Sequence, residues 1–313
     1  MNTRKRVALF GECMLELQGQ AFGAMQQSFG GDTLNTAVYL SRCGASRGIE
    51  AHYATALGDD RFSTGLIERW QAEGVGIDLV QRLPGRMPGL YLIEVDDKGE
   101  RSFSYWRDTS AAKAYFDAAL TPLEQALPSL DALYLSGISL AILPAAGRER
   151  LIAAMARLRT QGGTVVFDNN YRPRLWPDRL VARDWFAKAY ALANIALVTA
   201  DDEQAVQGLP TLDAAISHSL SLPCAEVVVK RGAAATLVRR DGEPLQEVPT
   251  EPVPRVVDTT AAGDSFAAGY LAERLSGGST QEAATLGNRL AARVIQHRGA
   301  LIPREAMAEL MTG

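Results

Sequence analysis

Short apolar runs alternate with amphipathic segments along most of the chain. RVALF (6–10), HYATAL (52–57), ALYLSG (132–137), TVVFD (164–168), IALVTA (195–200) and EVVVK (226–230) are nearly continuous in apolar residues. That is the pattern of strands buried on both faces. Segments 32–42, 62–73, 145–161 and 184–193 lie between several of them and have the length and period of helices. The alternation predicts an α/β fold, a doubly wound, mostly parallel sheet with helices on both faces. In such sheets ligands bind beyond the carboxyl ends of the strands.

Two regions break the rhythm. Residues 14–29 and 89–106 read as antiparallel strands, the second with a hairpin turn at 96–99. They predict a small second β-layer inserted into a single domain spanning 1–313, with an edge hairpin of the main sheet as the alternative. The 313 residues, 47% hydrophobic and 22% charged, suffice for one large core or two smaller ones, and no repeat or low-complexity tract interrupts them.

A net charge of −4 supplies no general attraction for nucleic acid or an anionic membrane, so an anionic ligand must meet locally placed Arg and Lys. The basic start MNTRKR is followed by an apolar run that Gly11 and Glu12 interrupt, too short for a signal peptide, and no stretch elsewhere is long enough to span a membrane. Cys13, Cys43 and Cys224 are odd in number and widely spaced, which argues against a disulfide framework and fits a reducing cytoplasm. His52, His218 and His297 are equally isolated, and a metal site needs clustered ligands.

The densest chemistry lies in DTTAAGDSFAAGYLAERL (258–275). Asp264 falls in the first turn of a helix, where an acid either caps free N–H groups or does chemical work. Ala261, Ala262 and Gly263 before it are small enough for another group to approach their backbone, which could cradle anionic oxygens. A carboxylate beside such a cradle suits phosphoryl transfer, taking the proton from an attacking hydroxyl. GGDTLNTA (30–37) sets a flexible pair and polar Asp32, Thr33 and Asn35 ahead of a helix, and DNNYRPRLW (168–176) opens at a strand end. VVVKRGAAATLV (227–238) reads as a hairpin or a nucleotide contact. GxxxxGK[ST] is absent, so any bound phosphates are not held by a P-loop.

In this order GGDTLNTA, DNNYRPRLW and DTTAAGDSFAAG resemble the ribokinase-like (PfkB-type) sugar kinases across nearly the whole chain. The resemblance implies an α/β domain with a β lid, ATP and Mg2+ as cofactors, Asp264 as catalytic base and Ala261, Ala262 and Gly263 as the anion hole. It implies sugar contacts from Gly31, Asp32 and Asn35, and ATP contacts from Asn170, Arg172, Lys230, Gly232, Ala262, Gly263 and Asn288. Asp258 and Thr260 match positions that serve a monovalent cation such as K+. Three departures stand out. Ala261 replaces a glycine, which a negative φ would accommodate; Ala235 replaces another; and the family's N-x-x-E appears as Asp201 and Gln204, leaving Asp202 or Glu203 to organise Mg2+.

Within the family, SYWRDTSAAKAYF (104–116) with GECMLEL and DNNYRPRLW looks most like the kinases of 2-keto-3-deoxygluconate. That likeness implies phosphorylation of the terminal hydroxyl, giving the 6-phosphate. Arg107 and Arg172 each offer a planar fork for the carboxylate of a sugar acid, and Tyr91 and Tyr105 can pack on its carbon chain. The alternative for the two arginines is solvation or pairing with acids. A fructokinase or other neutral-sugar kinase is the alternative activity, and a catalytically silent sugar-binding protein the alternative of another class. Exposed lid strands favour a homo-oligomer, a dimer or larger.

Overall fold

In the computed structural model, which describes residues 4–20, 22–95 and 101–311, the apolar runs form the interior of a nine-stranded sheet. The expected hairpin turn at 96–99 lies outside the described residues. The strands are β1 (Lys5–Phe10), β2 (Met14–Gly19), β3 (Met25–Gly30), β4 (Ile49–Leu57), β5 (Val80–Arg82), β6 (Gly89–Val95), β7 (Arg101–Trp106), β8 (Ala132–Ser136), β9 (Thr164–Asp168), β10 (Ile195–Thr199), β11 (Glu226–Arg231), β12 (Ala234–Arg240) and β13 (Gln246–Val248). The helices are α1 (Asp32–Gly44), α2 (Arg61–Ala72), α3 (Pro122–Ala126), α4 (Gly137–Ile142), α5 (Ala145–Thr160), α6 (Arg179–Leu192), α7 (Ala200–Gln207), α8 (Leu212–Leu220), α9 (Ala262–Leu275), α10 (Thr280–Val294) and α11 (Ala308–Met311).

The main sheet runs β13-β12-β11-β10-β9-β8-β1-β4-β5. It is parallel from β11 to β5, and β12 and β13 add an antiparallel edge. Each central strand feeds two cores, which is why its sequence is apolar throughout. Val7 and Leu9 enter the core with α1, α9 and α10, while Ala8 and Phe10 enter the one with α5 and α6. Because β1 lies between β4 and β8, strand order reverses there and opens a crevice at the carboxyl ends.

The second sheet, β3-β2-β6-β7, is built from the two regions that broke the rhythm. Its hairpin pairs β2/β3 and β6/β7 are antiparallel, as the sequence suggests, but β2 and β6 join in parallel, Met14 opposite Gly89 through Gly19 opposite Glu94. Both strands rise from the rim of the main sheet in the same direction. Among the described residues no helix is long and apolar enough to cross a membrane.

Several longer helices begin on a side-chain cap. Asp60 accepts from the N–H groups of Phe62 and Ser63, Asp178 from Leu180 and Val181, and Ser279 forms a capping box with Glu282. Helix α9 has no side-chain cap at its start. Its first-turn amides are left available at the mouth of the crevice.

Candidate active site

A cleft of about 1510 Å³ lies between the carboxyl edge of the main sheet and the four-stranded sheet. Asp32, Asp168, Asn170, Arg172, Asp202, Lys230 and the 257–264 segment line its floor, and Phe29, Tyr91, Ile93, Phe103 and Tyr105 its roof. The floor residues stand where the ends of β8 to β11 and the starts of α1 and α9 converge.

At the start of α9, Asp264 accepts a hydrogen bond from Asn35 Nδ2 at 2.8 Å rather than capping its own helix. Its carboxylate is thus engaged by a residue of α1. Burial pushes its carboxyl up to about 7, the nearby Asp32 and Asp168 add to the rise, and Asn35 and Lys230 oppose it. Ala261 enters the helix with φ 60 and ψ 15, left-handed rather than at the negative φ expected of it. A left-handed alanine costs about 1–2 kcal/mol relative to the right-handed form. The amides of Gly263 and Asp264 fall in the first turn, where α9 offers them no acceptor. Lys230 Nζ lies 3.6 Å from where a Cβ on Gly263 would stand, so a cation borders the cradle.

Lys230 is held by both oxygens of Asp168, at 2.8 and 3.1 Å. Asp32 Oδ2 accepts from Ser136 Oγ at 2.5 Å and Asn170 Nδ2 at 2.7 Å. Burial raises the Asp32 carboxyl, and these bonds, the Thr33 N–H and Arg172 hold the rise back. Asn170, expected beside ATP, is bonded to Asp32 and has a positive φ of 22. Asn35 donates to Asp264 while its Oδ1 is buried without a partner. That leaves a buried acceptor beside Asp264.

The two arginines part company. Arg172 is 53% exposed, reaches Asp202 at 3.4 Å and lines the cleft. Arg107, only 10% exposed, is paired with the buried Glu12 and does not line the cleft, so it is not free to meet a carboxylate. On the roof, the Tyr91 hydroxyl donates to Glu16, and the Tyr91 and Tyr105 rings lie 5.9 Å apart.

Other expected residues serve the frame. Gly31 precedes α1 because a Cβ there would fall 2.2 Å from the Glu12 carbonyl oxygen. Gly232, with φ 62, makes the exposed β11–β12 reversal, and Ala235 lies within β12. Asn288 is turned from the cleft, accepting from Thr236 and donating to the Val248 and Pro249 carbonyls. Glu203 is fully buried among Asn169, Tyr190, Gln207 and His218, so of the two acids considered for Mg2+ only Asp202 faces the cleft. The Glu203 pairing holds the His218 imidazole above its ordinary pKa. Asp258 accepts from the N–H and hydroxyl of Thr260 and from the Gly299 N–H, fastening the turn beneath the cradle. Asp168, Ser136 and Glu12 escaped the sequence reading. Asp168 alone carried a signal, as the polar last residue of a buried strand.

An uncapped helix start beside a raised carboxylate, under a β-sheet roof on a doubly wound α/β base, fits a carbohydrate kinase, and the chain belongs to the pfkB family of carbohydrate kinases, whose description matches residues 4–307. It is 49% identical over 308 residues to the 2-dehydro-3-deoxygluconokinase of Dickeya dadantii (strain 3937), covering 97% of this chain and 99% of that protein. The 2-dehydro-3-deoxygluconokinase of Escherichia coli (strain K12) is 47% identical over 306 residues, with 97% and 99% covered. Among solved structures, a putative ribokinase II from E. coli in complex with ATP and Mg2+ superposes with a TM-score of 0.81 at 24% identity, covering 99% of this chain and 98% of that one.

Proposed function

We infer that this protein is an ATP- and Mg2+-dependent kinase that phosphorylates the terminal hydroxyl of 2-keto-3-deoxygluconate, giving 2-keto-3-deoxy-6-phosphogluconate. One observation carries the chemistry: a buried carboxylate, held by Asn35, at the uncapped N-terminus of α9, where burial pushes its pKa up to about 7. Asp264 takes the proton of the attacking hydroxyl, and the amides of Gly263 and Asp264 with Lys230 stabilise the negative charge on the transferred group. Asp32 and Asn35 Oδ1 accept from the sugar hydroxyls. Arg172, an exposed arginine that lines the cleft, anchors the acid end.

The donor set suits magnesium carried on nucleotide phosphates, since among the described residues no group of three His, Cys, Asp or Glu could hold a metal alone. Asp202 faces the cleft as its protein-side acid, and the metal supplies neutralisation of phosphate charge. Asp258 and Thr260 offer oxygens for a potassium ion. The four-stranded sheet serves as a lid, with Tyr91 and Tyr105 over the carbon chain. The three cysteines are buried and free, in keeping with a reducing cytoplasm.

A coupled assay of ADP release across 2-keto-3-deoxygluconate, fructose and ribose tests the reading. The expected outcome is the highest kcat/KM on the sugar acid. Preference for fructose would replace it with a fructokinase, and no sugar-dependent ADP release would leave a silent sugar-binding protein.

A further inference from the structure

Ser136 lies at the junction of β8 and α4 and is fully buried, out of reach of any ligand. Its hydroxyl has one proton and is committed at both ends. Ser136 Oγ accepts from the Ser139 N–H at 3.2 Å, as the cap of α4. The Ser139 hydroxyl is itself spent on the Phe10 carbonyl at 2.6 Å. The Ser136 proton is therefore directed to Asp32 Oδ2, 2.5 Å away. Asn170 Nδ2 donates to the same oxygen from the end of β9, at 2.7 Å.

We propose that Ser136 is a positioning residue for sugar recognition, donating to Asp32 Oδ2 from beneath so that the carboxylate presents a fixed face to the substrate hydroxyls. An ionised carboxylate accepts several hydrogen bonds and can rotate about its own axis. Two donors arriving from separate strands remove that freedom before the sugar arrives, and a preorganised acceptor binds with less ordering cost. The serine is specified by two demands at once, since alanine lacks the donor and a larger residue would not fit a fully buried capping position.

The proposal rests on Asp32 being a sugar ligand, and steady-state kinetics on 2-keto-3-deoxygluconate and ATP separate the two claims. Ser136→Ala is expected to raise the sugar KM about tenfold while kcat and the ATP KM stay within about twofold. Ser139→Ala removes the other half of the α4 capping box and leaves both Asp32 donors, so it should lower Tm without moving the sugar KM. An unchanged sugar KM in Ser136→Ala, with a raised one in Asp32→Asn, overturns the role of Ser136 alone. An unchanged sugar KM in Asp32→Asn overturns the assignment of Asp32 itself. Equal rises in Ser136→Ala and Ser139→Ala would place the effect in α4 and also overturn the proposal. Should Ser136→Ala fail to fold, Ser136→Gly, which removes the donor and suits an N-cap, is expected to give the same split, and a parental sugar KM there overturns it.

Discussion

On the floor of the cleft, Asp32, Asp168 and Asp264 are each held by donors from other elements of a sheet buried on both faces, whereas in the roof β3 is exposed from Met25 to Ser28 and Phe103 and Tyr105 stack in partial solvent. The floor stores electrostatic cost. Burial, with Asp32 and Asp168 close by, raises the Asp264 pKa against the pull of Lys230, and Ala261 adds backbone strain beside it. A fold can hold such a group only where the surrounding core over-determines its place. The roof is less buried, which suits the lid role proposed for it. The floor and the roof meet at the buried Glu12–Arg107 pair, which ties the entry to β2 to the exit from β7.

Removing that joint should have the largest effect. Arg107→Ala strands the Glu12 carboxylate and is expected to cost roughly 3–5 kcal/mol of stability, read from urea unfolding. Arg172→Ala, at an exposed pair, should change stability by no more than about 0.5 kcal/mol. Similar stabilities for the two variants would remove the distinction between them.

Asp264→Asn comes next, with an expected fall in kcat of at least about a hundredfold, or roughly 2.7 kcal/mol. The folded carboxyl titrates near 7 against an ordinary 3.8, so its ionised form costs folded stability increasingly as pH rises through that window. The amide removes this cost. Asp264→Asn should therefore raise Tm more at pH 8 than at pH 5, and a lower Tm at pH 8 would contradict a desolvated acid there.

The smallest of these effects belongs to the acid end of the sugar. Arg172→Ala should lower kcat/KM for 2-keto-3-deoxygluconate about tenfold, or roughly 1.4 kcal/mol, and change that for fructose much less. Equal losses on both sugars would move Arg172 from the carboxylate to the phosphates.

How much of this was legible in the sequence follows from the range of the interactions. The strands of the main sheet were legible because burial on both faces writes an unbroken apolar run, and the Asp264 cradle because its residues are contiguous. The parallel β2–β6 pairing was not, since no local pattern encodes a register between strands from separate segments. Nor was the fate of Arg107, whose partner Glu12 is 95 positions away. Asp202 and Glu203 are adjacent in sequence, and only the phase of α7 sends one into the cleft and the other into the core. Residue type would have put Ala261 at a negative φ; the tertiary turn imposes the opposite sign.

The central claim is that Asp264 is a desolvated base, and the pH dependence of kcat/KM for 2-keto-3-deoxygluconate at saturating ATP and Mg2+ tests it most directly. The group must be ionised to accept a proton, so log kcat/KM should fall with unit slope below a break near pH 7, and the residual activity of Asp264→Asn should lack that break. A profile flat down to about pH 5, or a break near 7 that survives in Asp264→Asn, would contradict the assignment.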